Sequence, residues 1–193
     1  MKLIVGLGNP GSAYSDNRHN IGFKCLRHLA RQNGIGFTKK QAKARTGRGN
    51  IDAISILLAK PQTYMNLSGQ SVRLLMNKFK IHLDDLIVIH DDIDLPLAKV
   101  RIRKGGGSGG HKGLNSIFLE TGSRDFTRIR FGIGRPAGEL SSLYEKNEAV
   151  SKYVLSGFTD REKKIVKPSI VMVSAAVSLL LREGLEAAML KFN

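Results

Sequence analysis

The chain has 193 residues, enough for one domain with a sizeable core, and its 41% hydrophobic and 24% charged residues are ordinary globular values. Its charge is not ordinary: 31 Lys and Arg against 16 Asp and Glu leave +15 at pH 7 and a pI near 10.2, which points to a polyanionic partner and above all to nucleic acid. One cysteine excludes an intramolecular disulfide framework and a cysteine-rich zinc centre.

Strand and helix signals alternate throughout, which predicts an α/β layer fold, one domain over 1–193. Lys2 to Leu7 reads as a central strand, apolar enough to be buried on both faces. It empties into Gly6-Leu7-Gly8-Asn9-Pro10-Gly11, which matches the G-x-G-x-x-G opening of a dinucleotide-binding unit. Two features count against that reading. Pro10 removes a backbone N–H from the middle of the loop, and no Asp or Glu occurs between Asp16 and Asp52 to hold a ribose. The stretch then reads as a tight turn that presents Asn9 and leads through a loop, Ser12 to Asn17, to His19.

Asn20 to Asn33 has helical periodicity and stops at Gly34, with Cys25 among its apolar residues Ile21, Leu26 and Leu29. Gln41 to Gly49 is basic and small, an edge strand or loop. Ile54 to Ala59 is the next apolar strand, followed by a helix with Asn66 or Ser68 as its cap and Val72, Leu75, Met76 and Phe79 as its apolar face. Leu86 to His90 forms a third apolar strand, which ends in Asp91, Asp92 and Asp94.

Ala98 to Arg103 alternates, with Lys99, Arg101 and Arg103 on one side, and Arg128 and Arg130 repeat that basic alternation among Ile129, Phe131 and Ile133. Between them lie a flexible glycine loop, Lys104 to Gly110, and a short helix from Lys112 to Glu120. From Glu145 the chain is mostly helical, with a long last helix after Pro168. The longest apolar run, Ile170 to Leu181, is broken by Ser174 and Ser178 and falls short of the roughly 18 residues of a membrane span. With no signal-peptide or lipidation pattern, a cytoplasmic protein that avoids membranes is expected.

If the three apolar strands run parallel, their carboxyl ends bring Asn9, the segment Gln62, Tyr64, Asn66, and Asp91 to one rim, where ligands of open α/β sheets bind. His19 is the natural general base there, and Asp91 is placed to hold its second ring nitrogen. Asn9 and Asn66 add uncharged carboxamides suited to an amide-rich substrate and a developing oxyanion. No serine or cysteine has a nucleophile context, so the base would activate water. Each signal has a plainer reading: His19 as a capping or packing residue, Asp91-Asp92 as a turn, and His90-Asp91-Asp92-Ile93-Asp94 as a magnesium site.

Five blocks in order decide among these: GLGNPGSAYSDNRHNIG, KPQTYMNLSG, IVIHDDIDLP, RKGGGSGGHKGLNSI and RIRFGIGRP. Together, from Met1 to about Gly138, they resemble the bacterial-type peptidyl-tRNA hydrolases. The resemblance implies a single-domain α/β fold, a twisted mixed sheet flanked by helices, and hydrolysis of the ester between peptide and tRNA, with no cofactor and no metal. It implies His19 as the base, Asp91 as its orienting partner, and Asn9 as the residue that distinguishes peptidyl-tRNA from free aminoacyl-tRNA. It implies that Tyr14, Tyr64 and Asn66 line the substrate site, with Tyr64 in place of a more usual phenylalanine. Arg103 and Arg130 match a basic clamp for the tRNA 5′ phosphate near the acceptor end. Lys112 stands where the family often has an asparagine, which implies altered tRNA binding and intact chemistry. A monomer is favoured. The rival is a non-catalytic RNA-binding, splicing-accessory relative on the same fold, against which the intact pair His19 and Asp91 argues.

Overall fold

The computed structural model describes residues 1–136 and 142–193, so all five matching blocks are described and only the Gly138 end of the stretch they span lies outside the described residues. One mixed sheet of seven strands organises the chain, in the order β2-β3-β4-β1-β5-β7-β6. The strands are β1 (Lys2–Gly6), β2 (Lys39–Gln41), β3 (Ala44–Ile51), β4 (Ile54–Pro61), β5 (Leu86–Asp92), β6 (Val100–Lys104) and β7 (Thr127–Gly132). The central strands β4, β1, β5 and β7 run parallel, and the antiparallel hairpin partners β2–β3 and β6 close the two edges.

The helices are α1 (Ile21–Gln32), α2 (Ser68–Phe79), α3 (Lys112–Thr121), α4 (Leu143–Leu155) and α5 (Asp160–Phe192). Strand alternation assigns them to layers. Ile4, Ile56, Leu58, Ile87, Ile89 and Ile129 pack under α1 and α5, whereas Leu3, Val5, Leu57, Leu86 and Val88 pack under α2 and α3. A strand buried on both sides needs an apolar residue at every position, which is why β1 and β5 read as continuous apolar runs.

The glycines of the opening turn serve packing. A Cβ on Gly22 would lie 2.5 Å from the carbonyl oxygens of both Leu7 and Ile89, and one on Gly6 would collide with the Gly22 carbonyl. Helix α1 therefore crosses β1 at backbone distance, a contact that only glycine allows. The Phe23 N–H even donates to the Leu7 carbonyl at 3.1 Å.

Several expected features differ. The segment expected to be an edge strand or loop, Gln41 to Gly49, spans the end of β2, a turn with positive φ at Ala42 and Lys43, and most of β3, which lies inside the sheet edge. The loop expected at Ser12 to Asn17 holds a 3-10 turn, Ser12–Tyr14. Neither Asn66 nor Ser68 caps α2. Asn66 lies in a preceding 3-10 turn, Met65–Leu67, and Leu67 takes the cap position without a side-chain cap; the first turn is met instead from α3, where Ser116 Oγ accepts from the Gly69 N–H at 2.9 Å.

The last helix begins well before Pro168, which sits inside α5. Thr159 and Glu162 form a capping box that starts the helix, and the break falls later, at Gly184 with φ 88°. Part of this 33-residue helix has a mean hydropathy of 1.7, apolar enough to cross a membrane by composition, although no unbroken apolar run has that length. It lies against α1 and β6, with Val173, Ala176 and Val177 fully buried. Such packing is that of a core helix.

Candidate active site

The carboxyl ends of β1, β4 and β5 meet at one rim, because these strands are parallel neighbours. Asn9 follows β1 and is held by a reciprocal pair. Its N–H donates to Asn20 Oδ1 at 2.8 Å, and Asn20 Nδ2 donates back to the Asn9 carbonyl at 2.9 Å. The Asn9 side-chain oxygen accepts from the Met65 N–H at 2.7 Å, which fixes the orientation of the amide, since a backbone N–H can only donate. Asn9 Nδ2 is left without a partner among the described residues.

His19 sits in a 3-10 turn, Arg18–Asn20, just before α1. Its Nδ1 lies 2.8 and 2.9 Å from the two oxygens of Asp91, so Nδ1 carries the proton and Nε2 keeps its lone pair. Asp91 is only 2% exposed. Burial alone would raise its carboxyl pKa, but the adjacent imidazoles of His19 and His111 and their hydrogen bonds outweigh burial and hold it well below the usual range.

His111 is the residue that sequence reasoning missed. Its Nδ1 accepts from the N–H groups of Gly113 and Leu114, capping α3, which forces the proton onto Nε2. That Nε2–H donates to Asp91 Oδ1 at 3.0 Å, and the two imidazoles lie 4.8 Å apart. The only signal was a histidine at the start of a helix pattern, directly after the glycine pair Gly109-Gly110. His90 adds a further imidazole, T-shaped against His111; burial first, then His111, push its pKa well below the usual value and keep it neutral.

His19, Asp91 and His111 have the composition of a metal centre, with ligand atoms within 4.8 Å of one another. The hydrogen bonds argue otherwise for His111, whose Nδ1 is spent on the cap and whose Nε2 carries a proton, so it has no lone pair to give.

Arg18, the residue before His19, is also anchored. Arg18 is 5% exposed; its Nη2 bonds both oxygens of Glu162 at 2.7 and 2.8 Å, and its Nη1 donates to Ser156 Oγ and the Gly157 carbonyl. Its guanidinium lies over the rings of Tyr153 and Phe158. The C-terminal helices thus hold the turn that carries His19.

The remaining predicted residues occupy the rim and one face. Tyr14 and Tyr64 meet edge to face at 6.4 Å, and Tyr64 is 59% exposed. Asn66 is exposed beside Met65 and makes no hydrogen bond among the described residues. Lys112 is exposed at the first residue of α3, next to His111. Arg130 is half-buried and donates from Nε to Asp92 at 2.7 Å. Arg103, also half-buried, lies against Gly106 in the glycine loop.

Arg128 departs from the expected basic face. It is buried, and its guanidinium donates to the Gly107 carbonyl at 2.8 Å and to the Gly105 carbonyl. Burial, then the charges of Arg103 and Arg130, lower its pKa to about 10. The stretch read as a flexible glycine loop is therefore tied to β7 at two carbonyls.

Residues 3–193 match the family model described as peptidyl-tRNA hydrolase. The chain is 45% identical over 193 residues to a peptidyl-tRNA hydrolase of Dehalococcoides mccartyi strain CBDB1, and 46% identical to one of Syntrophomonas wolfei, each comparison covering 100% of both chains. A crystal structure of peptidyl-tRNA hydrolase from Acinetobacter baumannii superposes with a TM-score of 0.91 at 36% identity, covering 100% of this chain and 94% of that one.

Proposed function

The chain belongs to the peptidyl-tRNA hydrolase family, and on that premise we propose that His19 is the base that activates water against the ester joining peptide to tRNA. The protein is an enzyme, and its substrate is peptidyl-tRNA. The observation that carries the residue assignment is the His19–Asp91 pair, which spends Nδ1 and leaves Nε2 open.

In this reading Nε2 takes a proton from water as the water oxygen bonds to the ester carbonyl carbon. The buried Asp91 carboxylate stabilises the imidazolium that forms. The imidazolium then returns its proton to the ribose 3′ oxygen as the C–O bond breaks, leaving a peptide carboxylate and free tRNA. Asn66, unbonded at the rim, supplies donors to the substrate carbonyls.

Selectivity follows from the state of Asn9. Its oxygen is held by the Met65 N–H, which turns the amide so that its Nδ2 donor, without a partner among the described residues, is the group offered to the substrate. A donor pairs with a peptide carbonyl but opposes the ammonium of a free aminoacyl group, which would also lose its hydration there. Tyr14 and Tyr64 provide an aromatic wall, and Arg103, Arg130 and Lys112 face the acceptor end and 5′ phosphate of the tRNA. The enzyme works as a cytoplasmic monomer of one domain in this reading, with its apolar helix α5 packed against its own core.

A non-catalytic RNA-binding role is disfavoured by the same pair, since RNA binding needs no buried, oriented imidazole with an open nitrogen. The test is release of N-acetylated amino acid from tRNA. His19→Ala is expected to lower the rate by about 10²–10⁴ while tRNA affinity holds; a variant as fast as the parent would remove His19 from the role of base.

A further inference from the structure

A set of unmatched cations lies on the α1 face, opposite the face that carries Arg103 and Arg130. Lys24, Arg27, His28, Arg31 and Lys167 line an open groove of about 390 Å³ between α1 and α5, and no acidic residue lines it. Arg27 connects this groove to a second group on the neighbouring strands. There Arg45 stands opposite Lys60 in the β3–β4 register, and Lys60 Nζ lies 4.1 Å above the ring of Phe37.

Among the described residues, Arg27, Arg31, Arg45, Lys60 and Lys167 form no ion pair, and only Lys24 has a carboxylate near, Asp16 at 3.5 Å. The cost of this crowding is visible at Lys60: burial first, then the charges of Arg27 and Arg45, lower its pKa to about 8. His28 Nε2 is buried at the groove without a hydrogen-bond partner. Some other cations of the fold do meet carboxylates, as Lys104 meets Asp84 and Arg18 meets Glu162. A repulsive cluster left uncompensated points to an anion that arrives from outside.

We infer that Arg27, Arg31, Arg45, Lys60 and Lys167 form a second phosphate-binding surface, which grips the RNA backbone away from the catalytic rim. The inference rests on the substrate being an RNA. Three arginines favour phosphodiesters, whose oxygens match a guanidinium fork. Position supports the same occupant. Helix α1 starts two residues after His19, and Arg27 lies about 9 Å along it from Ile21. An RNA whose end is held at His19 therefore passes within reach of this face, and the surface engages a different stretch from that facing Arg103 and Arg130.

The test compares the parent with Arg27→Gln/Arg45→Gln, using fluorescence anisotropy on full-length deacylated tRNA across a salt series. Both side chains are exposed, so the double variant is expected to fold, with a melting temperature at or above that of the parent. Loss of two phosphate contacts should flatten the slope of log affinity against log salt by about 2 and weaken binding about tenfold at low salt. The rate at saturating N-acetylaminoacyl-tRNA should stay unchanged, which separates failure of this surface from failure of the catalytic assignment. An unchanged slope overturns the inference. So does a variant that keeps its tRNA affinity but loses binding to vesicles rich in anionic lipid.

Discussion

The rim of the sheet and the basic surfaces around it treat polar groups in opposite ways. Around Asp91 the side chains bind one another: Asp91 takes bonds from two histidines, Asn9 is held by Asn20 and Met65, and His111 is spent at both nitrogens, while His90 Nε2 is buried without a partner. Asn9 Nδ2 and His19 Nε2 stand out because their neighbours are so fully committed. On the α1 face the order reverses, and cations crowd together with a carboxylate near Lys24 alone. A buried polar group left unpaired is expensive, so a closed network identifies its open valences as places for the substrate. An exposed charge left unpaired costs little, so there a site is marked by density and mutual repulsion. Chemistry should therefore fail abruptly when the rim is altered, and binding should fail gradually when the surfaces are.

The sharpest break of that contrast is Asp91→Asn. An asparagine can donate to His19 Nδ1, which puts the imidazole proton on Nε2 and removes the base, so the rate should fall about 10³–10⁴ with tRNA affinity retained. Single-turnover hydrolysis beside a binding isotherm separates the two. The same carboxyl fixes the acid behaviour. Because its pKa is depressed in the folded protein, it favours folding above the ordinary carboxylate value of about 3.9, and that contribution is lost as pH falls through the folded value.

Arg18→Ala comes next. It strands Glu162 and frees the turn that carries His19, and should cost about 2–4 kcal/mol in urea unfolding and lower kcat as well. Retained kcat at full stability would show that the C-terminal helices do not position the base. Smaller still is Arg103→Gln/Arg130→Gln. KM should rise about tenfold and the salt slope should flatten by about 2, with kcat held. Freed of Arg130, Asp92 would add some repulsion towards tRNA.

The smallest effect is Lys60→Met. At pH 7 the folded state holds a lysine proton against burial and two arginines, so removing it should raise Tm, by no more than about 4 °C. Between pH 8 and 10.5 the unfolded chain of the parent binds a proton that the folded one has released, so parent stability rises with pH there and the variant's advantage fades. Thermal melts across that range decide it, and a constant advantage would mean that Lys60 is not strained by its neighbours.

Local pattern made much of this legible. The central strands announced themselves because burial on both faces demands apolar residues at every position, as Leu3-Ile4-Val5 and Leu86-Ile87-Val88-Ile89 show. Asn9, His19 and Asp91 could be named because strand ends deliver polar groups to a common rim. His111 could not, since its tie to Asp91 spans 20 residues and its cap role looks like any helix start. Arg128 misled for a related reason: alternation tells which face a residue takes, and only the course of the glycine loop decided that this face was covered. Pro168 looked like a helix start, yet the capping box at Thr159 and Glu162 began the helix a full two turns earlier.

By itself the sequence determined the α/β class, the strands of the core, the basic character and the family likeness, because periodicity, composition and ordered motifs are properties of the chain read in one dimension. Tertiary structure decided the tautomers of His19 and His111, the single open donor of Asn9, the burial of Arg128 and the meeting of Arg27 with Lys60 and Arg45. Each of these depends on which atoms from distant segments lie within hydrogen-bond or Coulomb range. No local pattern encodes that distance, and the fold sets it by stacking α1 on β1 through Gly6 and Gly22.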